Sequence, residues 1–252
     1  MNNKTLIGKV KKDMEPHKQN TEGLGQYCDH TVLRAYTTKE TVRRFCEEAI
    51  KYEAAAVCVN PIHVAYVREL LRGTQLRTCT VIGFPLGANK PCVKAFEAKQ
   101  AVDDGAEEVD MVINVGSLLE RDYDLVYRDI KGVVDAVSGL ADVKVIIETC
   151  YLKNSEIVAA SLLAQKAGAQ YVKTSTGFGT DGARVSDVCL IKETVGDSMK
   201  IKASTNINTK EEALSMIEAG AVRLGTSRTP QIVSGDNNLF SESMNNQPPK
   251  QE

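Results

Sequence analysis

Two lysines in strand-like settings suggest chemistry. Tyr171-Val172-Lys173-Thr174-Ser175-Thr176-Gly177-Phe178 reads as a short buried strand that ends on a lysine and runs into small hydroxyl residues and a glycine. One strand-helix unit later, Met199-Lys200-Ile201-Lys202-Ala203-Ser204 repeats the pattern. Burial disfavours a lysine's charge, so a strand-end lysine needs a reason. An ordinary lysine, with a pKa of about 10.4, has roughly 1 neutral amine in 2,500 at pH 7. Desolvation and a neighbouring cation both lower that value. A shift of about 3 units costs roughly 4 kcal/mol and leaves about a third of the amine free. A free amine adds to an aldehyde carbonyl, and loss of water gives a protonated imine that acts as an electron sink. A proton then leaves the adjacent carbon, and the enamine attacks a second aldehyde. This is class I aldolase chemistry, and it calls for no metal and no other cofactor.

Asp110, in Glu108-Val109-Asp110-Met111-Val112, is placed to orient the lysines and pass protons through a bound water. Each of these residues also has a plainer reading. A strand-end lysine is commonly a solvated rim residue, and Asp110 alone would serve as an ion-pair partner. Glu148 reads as a structural partner of a neighbouring lysine. His30 and His63 lack metal-like companions and read as packed or hydrogen-bonded. Cys58 ends a strand, and either faces the cavity or is an inert buried thiol.

The elements that must carry these residues alternate along the chain. The first strand falls within Gly23–Leu33 and includes Tyr27-Cys28-Asp29-His30-Thr31. Thr38 caps a helix running to about Tyr52. Strands follow at Ala54–Val59, Leu76–Ile82, Glu108–Val112 and Val143–Glu148, then around Lys173 and Lys202, and at Val222–Leu224. Helices are expected over residues 62–72, 91–104, 122–138, 154–167, 185–195 and 209–219, with Gly105, Gly168 and Gly220 at three of the stops. The near-continuous apolar strands belong to a parallel sheet. About eight strand-helix units in this length fit a single-domain (β/α)8, or TIM, barrel of the α/β class. A doubly wound sheet is the competitor, but no G-x-G-x-x-G or G-x-x-x-x-G-K follows a strand. Residues 1–20 read as a polar arm, 21–233 as the barrel and 234–252 as a polar, disordered tail.

Composition narrows the partners. The 252 residues carry a net charge of −2, which leaves no basic footprint for nucleic acid. No apolar run approaches the length of a membrane span, and the start lacks the apolar core of a secretory signal. Seven cysteines, odd in number and without C-x-x-C, point to reduced thiols and a cytoplasmic setting.

At these residues the chain resembles the 2-deoxyribose-5-phosphate aldolase family. The motifs are Asp29-His30-Thr31, Val57-Cys58-Val59-Asn60-Pro61, Thr80 to Gly87, Glu108 to Asn114, Val145 to Cys150, Val172 to Phe178 and Lys202-Ala203-Ser204. The likeness spans about residues 24–233. It implies that Lys173 forms the Schiff base, that Lys202 lowers its pKa and that Asp110 serves the proton relay. It further implies that Asp29 is a supporting acid near Lys202, with Thr176 set to meet a substrate hydroxyl. The family joins acetaldehyde to glyceraldehyde 3-phosphate, reversibly, so the partners implied are small aldehydes or sugar phosphates, and a homodimer.

The departures from the family pattern gather at the phosphate end. After Lys202-Ala203-Ser204 the family carries two glycines; here Thr205 and Asn206 stand there, and Asn208 replaces a commonly basic residue. Gly225-Thr226-Ser227-Arg228-Thr229 replaces Gly-Thr-Ser-Ser-Gly, and Gly179, Asp181 and Arg184 replace Ser, Gly and Thr after Gly177. Glycine lets backbone N–H groups approach an anion closely. Side chains at 205 and 206 would crowd that site, while Arg228 would restore positive charge. The pattern reads as altered acceptor specificity, of the kind engineering towards a non-phosphorylated aldehyde would give, or as drift in a chain that still binds phosphate through Arg228. Three other functions stay open: a non-catalytic binding protein on the same scaffold, an enamine or iminium catalyst of conjugate addition, and a metal-free sugar-phosphate isomerase with Glu148 as base.

Overall fold

Eight strands close on themselves in a computed structural model that describes residues 23–241. They are β1 (Cys28–Val32), β2 (Ala56–Val59), β3 (Arg77–Ile82), β4 (Glu108–Val112), β5 (Asp142–Ile146), β6 (Tyr171–Lys173), β7 (Lys200–Ser204) and β8 (Arg223–Thr226). Each pairs in parallel with the next, and β8 returns to β1, so the ring leaves no sheet edge. The closure excludes the doubly wound sheet. The expected 1–20 arm, and the tail beyond 241, lie outside the described residues. Residues 235–241 follow the last helix; Ser241 is buried there, and the Gln231 amide donates to its hydroxyl at 3.0 Å.

The helices follow the sequence signals closely. They are α1 (Lys39–Lys51), α2 (Val64–Leu70), α3 (Pro91–Asp103), α4 (Val115–Leu119), α5 (Tyr123–Ala136), α6 (Asn154–Ala167), α7 (Val185–Val195), α8 (Lys210–Glu218) and α9 (Thr229–Ser234). The Thr38 hydroxyl accepts the Thr41 N–H at 3.2 Å, the cap expected for α1. Gly168 ends α6 at φ 88°, a left-handed stop that favours glycine. Two helices escaped sequence reasoning. α4 is one turn nucleated by Asn114, whose side chain accepts the Ser117 N–H at 3.0 Å, and Gly116 weakens its helical signature. α9 is short, polar and carries Pro230 in its first turn.

Packing explains how charged residues come to lie on the barrel axis. Successive strand residues face opposite sides of a sheet. Val109, Val143, Val145, Val172, Ile201 and Leu224 face the helices and share one buried apolar cluster with Ile130, Val133, Ile157 and Ile191. Their alternate neighbours must therefore face the axis. Those neighbours include Glu108, Asp110, Lys144, Lys173 and Lys202. The barrel is filled by ions where branched aliphatics usually sit.

Candidate active site

Register brings the two sequence-predicted lysines side by side. Lys173 pairs with Lys202 across β6 and β7, and Asp110 pairs with Lys144 across β4 and β5. Lys173 Nζ donates to Asp110 Oδ2 at 2.8 Å, and Lys202 Nζ to the same oxygen at 2.7 Å. Lys202 also bonds Asp29, which lies on β1 where the resemblance placed it. Asp29 accepts Arg223 Nη1 at 2.6 Å on its other oxygen.

The structure adds three members that sequence reasoning missed. Lys144 is fully buried and donates to Glu108 Oε2 at 2.5 Å and Asp110 Oδ1 at 2.9 Å. Arg223 ties Glu108 to Asp29, with Nη1 at 3.1 Å from Glu108 Oε2. The signal was present: Glu108-Val-Asp110, Asp142-Val-Lys144 and Lys200-Ile-Lys202 place charge at every second residue of a strand. That spacing puts both charges on one face, and the outward face was already claimed by the valines and isoleucine between them.

Electrostatics follow from this geometry. Burial alone would push the Asp110 carboxyl up, but the ammonium groups of Lys144, Lys173 and Lys202 outweigh it and hold Asp110 well below the carboxylate range. Asp29 is held low in the same way by Lys202 and Arg223, against its burial. For Lys202, burial acts downward, yet Asp110 and Asp29 outweigh it and keep its ammonium charged. Lys144 is likewise raised by Asp110 and Glu108, against its burial. Cys58 and Cys79 lie in register on β2 and β3, both buried, and Cys79 Sγ stands 3.3 Å from Asp110 Oδ1. Donor atoms of Cys58, Cys79 and Asp110 lie close enough together to hold a metal ion. Lys144 Nζ already stands beside Cys79 and Asp110, supplying the positive charge a cation would bring.

Above the cluster, at the carboxyl ends of the strands, opens a pocket of about 440 Å³. Its walls include Thr176, Gly177, Thr205, Asn206, Gly225, Ser227 and Arg228, all singled out in sequence. Ser204 is buried beneath them, and its hydroxyl has no hydrogen-bond partner among the described residues. A Cβ at Gly225 would collide with Ser204 Oγ and stand 3.1 Å from Lys202 Cε, so glycine joins the pocket wall to the cluster. Arg34 lies over the Phe178 ring at 5.5 Å on the same rim, a contact between separate loops that no local pattern signals. Thr176 is engaged within the protein: its hydroxyl donates to Glu148, and its N–H donates to Glu148 Oε1 at 3.1 Å. Glu148 thus partners Thr176 rather than a lysine, because β5 ends at Ile146 and Glu148 turns at φ 57°. His30 is packed as expected, stacked on Phe45 at 4.6 Å.

At the phosphate end, Thr205 and Asn206 keep a glycine-like backbone with φ of 71° and 61°. Two consecutive non-glycine residues there are uncommon, and for β-branched Thr205 the cost is about 1–3 kcal/mol. Asn206 Nδ2 donates to Asp181 Oδ1 at 2.7 Å. The Arg184 guanidinium bonded to Asp181 holds that carboxyl below its usual range.

Comparisons with known proteins agree with this geometry. The family model for DeoC/LacD family aldolases matches residues 24–227. The chain is 54% identical to deoxyribose-phosphate aldolase from Macrococcus caseolyticus over 84% of this chain and 96% of that one. It is 54% identical to the enzyme of the same name from Enterococcus faecalis, with the same coverages. The tetrameric deoxyribose phosphate aldolase from Aeropyrum pernix superposes with a TM-score of 0.80 at 32% identity, covering 87% of this chain and 93% of that chain. With match, coverage and charged barrel in agreement, the chain belongs to the DeoC/LacD family of aldolases.

Proposed function

We propose that this aldolase uses the Schiff-base route, with Lys173 as the amine that attacks acetaldehyde. One observation carries the reading. The buried cluster sets four basic groups, Lys144, Lys173, Lys202 and Arg223, against three carboxylates, Asp29, Glu108 and Asp110. Uncompensated charge is costly in so dry a site. Removing one proton balances it. Lys144 stands within ion-pair distance of three carboxylates and Lys202 of two, and Arg223 is not an accessible nucleophile. Among the described residues Lys173 pairs with Asp110 alone, and its side chain is 4% exposed where those of Lys144 and Lys202 are 0%.

The steps balance. The Lys173 amine adds to the aldehyde carbon, and the carbinolamine loses water to give the iminium. A proton leaves the methyl carbon through water held at Asp110, forming the enamine. The enamine carbon attacks the acceptor carbonyl, whose oxygen takes a proton, and water releases the product with the lysine restored. Lys202 stays charged throughout and supplies the fixed positive field.

The acceptor is a small aldehyde. Relatives named for deoxyribose phosphate support glyceraldehyde 3-phosphate as its class. The side chains at Thr205 and Asn206, and an ionised Asp181 behind them, favour a non-phosphorylated aldehyde. Comparing kcat/KM for cleavage of deoxyribose and deoxyribose 5-phosphate tests this. A much better constant for the phosphorylated sugar contradicts the altered specificity but leaves the aldolase reading intact. Self-association and a cytoplasmic setting complete the proposal, the first checked by light scattering and the second by fractionation.

A further inference from the structure

We propose that Asp181 and Gly182, in the loop between β6 and α7, are positioning residues that clamp the Thr205–Asn206 turn in the shape the acceptor meets. The inference rests on the aldolase reading for its kinetic readout but on geometry for its content.

Thr205 and Asn206 line the pocket, and both occupy the left-handed backbone region. Asparagine tolerates that conformation, but β-branched Thr205 disfavours it. Something outside the turn must hold it. The loop before α7 packs against the turn and supplies four restraints. The Ala183 N–H lies between two carbonyls of the turn, 3.0 Å from Ser204 O and 3.2 Å from Thr205 O. Asp181 Oδ1 accepts from Asn206 Nδ2 at 2.7 Å, and the Gly182 N–H at 2.8 Å braces the same oxygen. Arg184 Nε, at 2.9 Å from Oδ2, fixes the carboxylate from the solvent side. Gly182 lets the two segments touch: a Cβ there would stand 2.8 Å from Asn206 Cγ and 2.8 Å from the Thr205 carbonyl oxygen. Asp181 itself is not in the pocket wall. It acts on the acceptor only through the turn.

A clamp of this kind matters because the turn lacks glycine. With glycine at 205 and 206 the left-handed shape carries no steric cost, and the carboxylate becomes dispensable. This sets the experiment. Retro-aldol KM is read with deoxyribose, an uncharged substrate, so that direct repulsion between Asp181 and a phosphate drops out. Asp181→Ala is expected to raise KM by about fivefold or more, the size of one lost charge-assisted hydrogen bond, with kcat nearly unchanged. Gly182→Ala is expected to move KM in the same direction. In a Thr205→Gly/Asn206→Gly background, adding Asp181→Ala is expected to change KM by less than about twofold, the coupling a double-mutant cycle measures. Borohydride trapping with acetaldehyde alone is expected to be the same for Asp181→Ala and the unsubstituted chain, because no acceptor is involved.

An unchanged KM in Asp181→Ala, or an equal rise in the glycine background, overturns the clamp. Loss of trapping in the unsubstituted chain instead contradicts the Schiff-base reading. The clamp is then read from melting, where Asp181→Ala must lower Tm more with Thr205 and Asn206 present than with glycine at both positions; additive shifts overturn it.

Discussion

Lys173 and Lys202 donate to one and the same oxygen, Oδ2 of Asp110, at 2.8 and 2.7 Å. Two amines that share an acceptor stand within two hydrogen-bond lengths of each other. Both cannot be charged there without cost, since like charges at such range repel strongly in a dry site. Their inequality is what the proposed chemistry rests on. Lys202 has Asp29 as a second anchor, whereas Lys173 has none among the described residues.

Replacing Lys202 by methionine removes that fixed cation and leaves Asp29 and Asp110 with less positive charge. The amine at Lys173 then lacks the positive field beside it. Activity at neutral pH is expected to fall by about 10²-fold or more, within the range a positioned charge or proton carrier supplies. Steady-state kcat measures it, and a loss below tenfold contradicts the role assigned to Lys202.

Lys144 makes a different prediction, one of stability. Lys144→Met strands Glu108 and Asp110 as buried carboxylates with fewer partners. Breaking a buried pair in this way costs about 3–5 kcal/mol. Chemical denaturation is expected to show a loss of that order. A change within about 0.5 kcal/mol would mean that the barrel tolerates the unbalanced charge.

Acid stability tests the depressed carboxylates. Asp29 and Asp110 are held below their ordinary values, so their contribution is present above the unfolded value of about 3.9 and is lost as pH falls through the lower folded values. Lys202 and Lys144 are raised, so theirs is present below the unfolded value of about 10.4 and is lost only above it. Between these limits these two carboxylates and these two lysines add no slope to the stability profile. Denaturation from pH 5 down to 2 is expected to show a steep loss of stability, with a shallower slope in Asp29→Asn. An identical slope in that variant contradicts the assignment.

Much of this was legible in the sequence, for identifiable reasons. The strand-helix alternation survives in composition because every strand has one face packed on helices, and valines and isoleucines mark that face. Lys173 stood out because it ends a buried strand and runs into small hydroxyl residues, Lys202 because it repeats that pattern one unit later, and Asp110 because it stands between Val109 and Met111 in an apolar strand. Lys144, inside Val143-Lys144-Val145, was passed over because its partners come into view with the pairing of β4 and β5. The contact between Asp181 and Asn206 joins separate loops, and no local pattern announces it. α4 and α9 are too short for periodicity to register.

The most direct test is to incubate the chain with acetaldehyde, reduce it with borohydride at neutral pH and map the modified peptide by mass spectrometry. The account predicts a two-carbon adduct on Lys173 and, under matched conditions, none on Lys144 or Lys202. An adduct confined to another lysine, or no adduct while aldol cleavage proceeds, would contradict it.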